Sequence, residues 1–572
     1  MFCYHCQEAK KNLVCDKTGI CGKKENISSL QDLLMFSLKG LAFYSIKADE
    51  FDLLTLKTHR FIAKALFSMV TNVNFSPADF VDLIDEAIRR RNTLREQFLQ
   101  AYQQHNEQAF LADLPEEAEW QYDAIDETVF TDKGATIGVE KDSETLDEDV
   151  HALQECLLYA VKGLGSLAVH NLAVANEETT QYQFIQQALN FTLNKDNTLD
   201  QVLAMNLRSG ELGLAAMQKL EQANCKQFGH PEPTTVHLDT WDNPGILVTG
   251  HDLQDIEDLL EQTAETGVDV YTHGEAISAH AYPALKKYFN LVANYGGAWQ
   301  SQKTEFPKFN GPVLITTNSI QQPKKTYQDK LFSTGMVGWP NVPHIADRKP
   351  EQRKDFSTII NCALNSDAPT PLTEGQVVTG FGTKTLNELL SKISAAIKAN
   401  KIKRIIVIAG TDGRHKERRY YTELAESLAD DILIMTAGDI KFRFHQHDFA
   451  QIDGIPRFFD VGQSNDFSII IGFLQDLQSN LGLNALNDLP VSFQIAWYEQ
   501  KTILMMLSLF ALGFKNIRVG PTLPPFFTPN ILTLLAEKFA LKGIDSVEND
   551  IEMMLNGEIE PKKEELASEP NE

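Results

Sequence analysis

Gly245-Ile-Leu-Val-Thr-Gly250, followed by His251, is the stretch on which the reading of the fold turns. It is a short apolar, β-branched run closed by a glycine, and a helix-like stretch follows it. The pattern returns in VDVYTHG (Val268 to Gly274), PVLITTN (Pro312 to Asn318), RIIVIAG (Arg404 to Gly410), ILIMTAG (Ile432 to Gly438) and VSFQIAWY (Val491 to Tyr498). Strands alternating with helices predict largely parallel sheets, so this part of the chain reads as two doubly wound, Rossmann-like α/β domains. Pro231, Pro233 and Pro244 mark where the pattern begins, and Pro369 and Pro371 interrupt it, which sets the domains at 231–370 and 371–555. The acidic stretch 556–572 is expected to be a disordered tail.

Before residue 231 the hydrophobic period is helical. Leu30, Leu33, Leu34, Leu38 and Leu41 follow a Ser28-x-x-Gln31 capping box, and Leu153, Leu157, Val161 and Leu164 follow Thr145-x-x-Glu148. LQDLLMFSLKGLA (Leu30 to Ala42) aligns with LQECLLYAVKGLG (Leu153 to Gly165), and both share Lys-Gly-Leu. This implies a duplicated helical-bundle unit within 1–230, with two unrelated leucine-rich helices as the alternative. Ser76-Pro77 reads as the N-cap and first residue of a helix through Arg95, and Glu116 to Asp149 as acidic surface connections.

Four of the seven cysteines, Cys3, Cys6, Cys15 and Cys21, stand in the spacing C-x2-C-x8-C-x5-C. So compact a set of soft ligands suggests a metal centre. Disulfides are disfavoured because no basic and apolar leader precedes the segment, and a reducing cytoplasm is the expected setting. Structural zinc stays open, but zinc ribbons pair two C-x2-C knuckles and the second pair here is split by five residues, so the spacing favours iron–sulfur. Cys156, Cys225 and Cys362 read as small packed residues.

A chain of 572 residues with 43% hydrophobic content can bury several cores. Its net charge of −26 repels phosphates and argues against a nucleic-acid partner; any redox donor protein is expected to be basic or small. The longest apolar run, Ile503 to Phe514, is shorter than the roughly 20 residues that span a bilayer, so no membrane association is expected.

In open parallel sheets, ligands bind beyond the carboxyl ends of the strands. His251, Glu275, Ser319, Thr411, Asp439 and Glu499 with Lys501 each follow one of the runs, and Ser464 ends a further one. Singly, each is explained by a cap or a turn. Their recurrence in two domains points to a shared cleft.

The motifs MFCYHCQE, GHDL, VYTHGEA, AYPALKKY, YGGAWQSQ, GPVLITTN, VGWPNVPHI, GIPRFFDVGQ, AWYEQK and GPTLPPFFTPN run over nearly the whole chain. In them the sequence resembles the hybrid-cluster protein (prismane, hydroxylamine reductase) family. The resemblance implies one helical and two α/β domains, with a [4Fe-4S] cubane on Cys3, Cys6, Cys15 and Cys21. It also implies an iron–sulfur–oxygen hybrid cluster where the domains meet, the centre at which the family reduces hydroxylamine or nitric oxide. By the same resemblance, His251, Glu275 and Glu499 are ligands of that cluster and Lys501 stands beside it.

The four cysteines that complete the family's hybrid cluster are replaced by Ser319, Thr411, Asp439 and Ser464. Thiolates hold such clusters, whereas serine and threonine hydroxyls stay protonated and bind weakly, so an intact hybrid cluster is not expected. What remains is a hard-donor set, His251, Glu275, Asp439 and Glu499, suited to Fe(II), Mn(II) or Zn(II), with Glu499 and Lys501 as the catalytic candidates and Lys501 as the proton donor. The alternative is a metal-free pocket in which His251 and Glu275 hydrogen-bond around water. Three function classes stay open: an oxidoreductase acting on a small molecule, with the family's activity weak or lost; an electron-transfer or redox-sensing module; and a scaffold.

Three further signals carry less. Gly380-Phe-Gly382 is a dinucleotide loop lacking its third glycine or a plain strand-to-helix turn. His445-x-His447 is a metal pair or a solvated loop. Arg414 to Arg419 is a receptor for an anionic substrate or donor protein, or a solvated helix start.

Overall fold

The computed structural model describes residues 3, 5–9, 15, 18–138, 146–317, 319–349 and 352–556. The expected tail beyond residue 556, and Thr145 of the second capping box, lie outside them.

Six helices of the N-terminal part fall into two triplets of matched length. Glu25–Asp49, Leu56–Ser68 and Pro77–Asn106 have 25, 13 and 30 residues; Glu148–Ala173, Thr179–Phe191 and Leu199–Phe228 have 26, 13 and 30. In each triplet the first helix packs along the third. The short middle helices cross over, Leu56–Ser68 onto Glu148–Ala173 and Thr179–Phe191 onto Glu25–Asp49. The repeated leucines are therefore the core faces of one duplicated unit, and neither copy covers its apolar stripe alone.

Helix starts differ from the sequence reading. Ser28 lies inside a helix that begins at Glu25 after Lys24, and the second repeat is capped by Asp147, whose carboxylate accepts the Asp149 and Val150 N–H groups. The helix capped by Ser76 runs on to Asn106, and the acidic connection contains short helices at Glu116–Glu119 and Glu127–Ala135. Glu148–Ala173 is long and apolar enough to cross a membrane by length and composition, but most of that stretch is buried inside the protein.

The strands are β1 (Thr234–His237), β2 (Gly245–Thr249), β3 (Asp269–His273), β4 (Leu291–Asn294), β5 (Val313–Ile315), β6 (Leu331–Thr334), β7 (His344–Ile345) and β8 (Gln376–Thr379). They continue with β9 (Arg404–Gly410), β10 (Ile432–Thr436), the small pair β11 (Gln451–Ile452) and β12 (Ile455–Pro456), β13 (Phe458–Asp460), β14 (Val491–Ala496), β15 (Ile517–Gly520) and β16 (Leu541–Gly543). Two six-stranded sheets form, in the orders β4-β3-β2-β5-β6-β7 and β13-β10-β9-β14-β15-β16, with every pairing parallel. Each has the doubly wound order 3-2-1-4-5-6, so the strand order reverses between β2 and β5 in one sheet and between β9 and β14 in the other. At the two boundaries read from prolines, β1 and β8 pair antiparallel with each other.

The turns that leave these strands share one device. Gly250, Gly274, Gly410 and Gly438 all have positive φ; a Cβ on Gly410 would lie 2.4 Å from the Ala496 carbonyl oxygen, so only glycine lets the chain turn sharply between paired strands there. One further element ties sheets to bundle. The helix Gln500–Ala511 buries Ile503, Leu504, Met505, Met506, Leu507, Leu509 and Phe510 and lies between β14 and the helices Glu148–Ala173 and Leu199–Phe228. Being apolar all round, it fits only in the interior.

Its approach to the bundle is closest at Gly210, where an added Cβ would sit 2.2 Å from the Leu507 carbonyl oxygen. Gly210→Ala is therefore expected to lower the unfolding midpoint, at a cost of about 1–3 kcal/mol from overpacking. Gly472→Ala, in the helix Phe467–Leu481 with nothing within 4 Å of the new methyl group, is expected to raise stability by about 0.5–1 kcal/mol. Denaturant unfolding of both variants checks the pair.

Candidate functional site

The carboxyl ends of the two sheets face one another, and the polar residues that follow the strands meet there. His251 leaves β2, Glu275 leaves β3, Thr411 leaves β9, Asp439 leaves β10 and Glu499 leaves β14; Ser464 comes four residues after β13. His251 Nε2 lies 3.1 Å from Glu275 Oε2 and 3.5 Å from Ser464 Oγ, and the Ser464 N–H donates to Glu275 Oε2 at 2.5 Å. The two contacts of Ser464 cross from one α/β domain to the other.

Behind His251, the Thr317 hydroxyl accepts the His251 N–H at 2.7 Å and lies 3.0 Å from Nδ1. The Thr317 hydroxyl thereby fixes the ring through Nδ1 and leaves Nε2 toward Glu275. Asp439 Oδ1 accepts the Asp412 N–H at 2.7 Å, and Glu499 Oε2 accepts the Lys501 N–H at 2.9 Å, so each carboxylate has one oxygen tied to backbone. Thr411 Oγ1 lies 3.4 Å from Thr502 Oγ1. Ser319 is half-buried at φ 74, and its carbonyl accepts from Gln302 Nε2. Among the described residues no three His, Cys, Asp or Glu side chains close on one metal-sized point.

The electrostatics bind the cluster together. Burial raises Glu275, but His251, Lys501 and the Ser464 N–H outweigh it and hold its carboxyl at about 2. Burial raises Asp439 well above the carboxylate range, with Glu275 adding repulsion. Burial likewise lifts Glu499 to about 7, against the pull of Lys501. Burial lowers Lys501, while Glu499, Glu275 and Asp439 oppose it, and among the described residues its buried Nζ has no hydrogen-bond partner. A lysine amine among three carboxyl groups, with no bond to another described residue, is available to a ligand.

His170 was not singled out from the sequence. It lies in the last turn of Glu148–Ala173, its ring centre 5.9 Å from that of His251. Among the described residues its buried Nε2 has no hydrogen-bond partner, and burial, then Lys501, then His251 lower its pKa well below the usual range. A histidine within an apolar helix reads as a packing residue, and nothing in the sequence brings it to strands about 80 residues further on.

The second centre lies at the N-terminus. Cys3, Cys6, Cys15 and Cys21 line one cavity with His5, Lys23 and Thr71. Cys3 and Cys15 face each other in an antiparallel bridge, and Lys23 Nζ lies 3.6 Å from Cys3 Sγ. Burial raises Cys6, with Cys21 and Cys3 adding repulsion; burial raises Cys21, against Lys23. Buried thiols that oppose one another's ionisation suit a cationic iron centre, which relieves that repulsion.

One loop touches both centres. Tyr498 O accepts the Gln7 N–H at 2.9 Å, and Gln500 Oε1 accepts the Thr71 N–H at 3.0 Å beside the His5 carbonyl. Arg418, fully buried, donates to Gln7 Oε1, Trp497 O and Thr411 O, and Arg414 pairs with Glu8 at 2.9 Å. These two arginines of the basic cluster therefore clamp the cysteine segment. Gly380-Phe-Gly382 is a turn into the helix Thr383–Lys398, and β8 before it belongs to neither parallel sheet. His445 is buried and His447 exposed, so they neither converge nor form a wholly solvated loop. Cys156, Cys225 and Cys362 all lie on helices.

Residues 1–552 match the prismane/CO dehydrogenase family. A hydroxylamine reductase of Halothermothrix orenii is 44% identical over 558 residues, covering 98% of this chain and 100% of that protein. One of Nitratidesulfovibrio vulgaris is 43% identical over 559 residues, covering 97% and 100%. In fold, the chain is similar to a carbon monoxide dehydrogenase from Thermococcus sp. AM4, with TM-score 0.56, 15% identity and coverage of 97% of this chain and 89% of that one. Carbon monoxide dehydrogenase IV of Carboxydothermus hydrogenoformans gives TM-score 0.55 at 14% identity, covering 94% and 89%.

In metal-free protein, Glu499 titrates near 7 when folded and near 4.5 when unfolded, so between those values the folded state holds the extra proton. Its contribution to stability is full below pH 4.5 and is lost as pH rises to about 7. Glu499→Gln is expected to reduce the fall in stability between about pH 5 and 7 by roughly 2 kcal/mol, read by chemical denaturation across that range.

Proposed function

This chain belongs to the prismane/CO dehydrogenase family, and on that premise we propose that it is an iron–sulfur oxidoreductase whose electrons enter at Cys3, Cys6, Cys15 and Cys21. The observation that carries the reading is the loop Trp497–Lys501, which holds the cysteine segment with Tyr498 and Gln500 and turns Glu499 and Lys501 toward the inner cleft. The four thiols sharing one cavity fit a [4Fe-4S] centre, which supplies one-electron transfer when bound.

The inner cleft does not fit a hybrid cluster. Its four thiolate positions carry Ser319, Thr411, Asp439 and Ser464, and the Thr411 and Ser464 hydroxyls and the Asp439 carboxyl group are engaged with protein partners. The residues present suit a hard cation on His251 Nε2 and the free oxygens of Glu275, Asp439 and Glu499, such as Fe(II), Mn(II) or Zn(II). Lys501 would hold a proton over a small bound substrate, with neutral His170 beside it. Hydroxylamine reduction at the level of the family is not expected without the sulfur ligands.

A second reading is favoured by the closure of His251 on Glu275 at 3.1 Å: the inner pocket is metal-free and the protein passes electrons without chemistry there. Metal analysis of anaerobically purified protein separates the two. About four irons with matching sulfide, plus one or two further metal ions lost in His251→Ala, is the expected result; about four irons and nothing more selects the second reading.

Viologen-driven hydroxylamine reduction is expected to be at least about a hundredfold below that of relatives with the four cysteines. Ordinary activity would show that hydroxyl and carboxyl groups replace the thiolates, and would end this account of the cleft. Cys15→Ser is expected to abolish the electron paramagnetic resonance signal of the reduced N-terminal centre while inner-site metal stays.

A further inference from the structure

The basic residues on this acidic chain are not spread evenly. Residues 1–24 hold Lys10, Lys11, Lys17, Lys23 and Lys24 against Glu8 and Asp16, in a protein of net charge −26. The loop bearing Lys324 and Lys325 is fastened to the cysteine turn, with the Gln322 N–H donating to the Cys21 carbonyl at 3.3 Å and Gly22 packed against Gln322 and Trp339. Lys303 belongs to the same face: burial, then the charges of Arg414 and Lys324, lower its pKa, and Cys21 is near enough to oppose them.

Lys24, Lys324 and Lys325 are exposed and Lys303 is half-buried. None of the four makes an ion pair with another described residue, unlike Arg414, which Glu8 neutralises. Among the described residues Glu25 is an exposed acid next to Lys24 in the chain, and Asp79 and Asp329 are exposed on the neighbouring segments. Ile20 lines the cysteine cavity and is 42% exposed, an uncommon position for so large an apolar side chain, immediately before Cys21, which is 8% exposed. Beside it a groove of about 260 Å³ runs past Gly22, Lys24, Gln322 and Trp339. An exposed apolar residue next to a shallowly buried cysteine, near lysines that make no ion pair with another described residue, is an interface pattern.

We propose that this face docks a small acidic electron-carrier protein, and that the carrier passes one electron to the centre on Cys3, Cys6, Cys15 and Cys21. The carrier is oxidised and the centre reduced by one electron; no atom or proton is transferred. Net charge alone points to a basic partner. Locally the sign is reversed, and the net negative charge of the rest of the chain disfavours other approaches, so attraction and repulsion together orient the carrier. The inference rests on the reading of the four cysteines as an iron–sulfur site.

The test is anaerobic stopped-flow reduction of the full-length protein by two donors, a pre-reduced plant-type [2Fe-2S] ferredoxin, which is acidic, and the methyl viologen radical cation. For ferredoxin, the second-order rate constant is expected to fall about tenfold or more between about 20 and 300 mM salt. Lys324→Glu with Lys325→Glu is expected to slow ferredoxin about tenfold at low salt and to leave viologen unslowed.

A ferredoxin rate that is flat or rising with salt in the unmodified protein overturns the proposal, and this measurement needs no variant to fold. A double variant reduced by ferredoxin as fast as the parent overturns it too. Failure of viologen to reduce the protein at all removes the cluster reading, and the docking face with it.

Discussion

Between the strand β14 and the helix Gln500–Ala511 the chain makes one buried turn, and two sites depend on its position. Trp497, Tyr498, Glu499, Gln500 and Lys501 are all almost wholly buried, so every polar group in the turn needs a partner. Backbone and side chains of the N-terminal segment supply several of them: the Gln7 N–H meets Tyr498 O, and the His5 carbonyl meets Gln500 Nε2 and Thr71 Oγ1. The cysteine segment is thus an inserted part of the interior. The turn cannot move without breaking hydrogen bonds at one centre and displacing Glu499 and Lys501 at the other.

This constraint explains the placing of buried charge elsewhere. Arg418 has no exposed surface and spends its donors on Gln7, Trp497 and Thr411, joining the cysteine segment, the β14 turn and the β9 turn through one guanidinium. A planar group with donors in a fixed fork serves such a junction better than a lysine does. Trp299 adds a further tie, its Nε1–H donating to the Asp412 carbonyl at 2.8 Å while its ring lies 4.7 Å from that of Tyr498. Through these contacts the two α/β domains and the N-terminal segment form one packed unit around the cleft.

Within that frame the strand ends meet through nitrogen and oxygen donors. The strand-end turns have positive-φ glycines at 250, 274, 410 and 438, and the residues that follow them converge on the cleft. Those residues include carboxyl groups whose ionisation is opposed by burial, a lysine that helps hold one of them ionised, and a histidine ring bridged to that carboxylate. A hard cation would find donors in such a pocket, and a set of mutual hydrogen bonds would also satisfy it.

Much of this was legible in the order of residues. Alternating runs and turn glycines identified six strands, proline clusters located the places where β1 and β8 lie, and the repeated Lys-Gly-Leu pointed to a duplication visible as two matched helix triplets. These are local properties, set by side-chain period and by which residues tolerate a sharp turn. The short strands β4, β6, β7, β15 and β16 escaped because two to four residues carry too little pattern, and Ser28 misled because cap motifs also occur within helices. Only the tertiary structure brought His170 to His251, gave Arg414 and Arg418 to the cysteine segment and set Lys303 and the loop of Lys324 beside Cys21 on an acidic protein. Each of those relations joins residues far apart in the chain, and it exists because the fold closes buried polar groups onto one another, which no local period records.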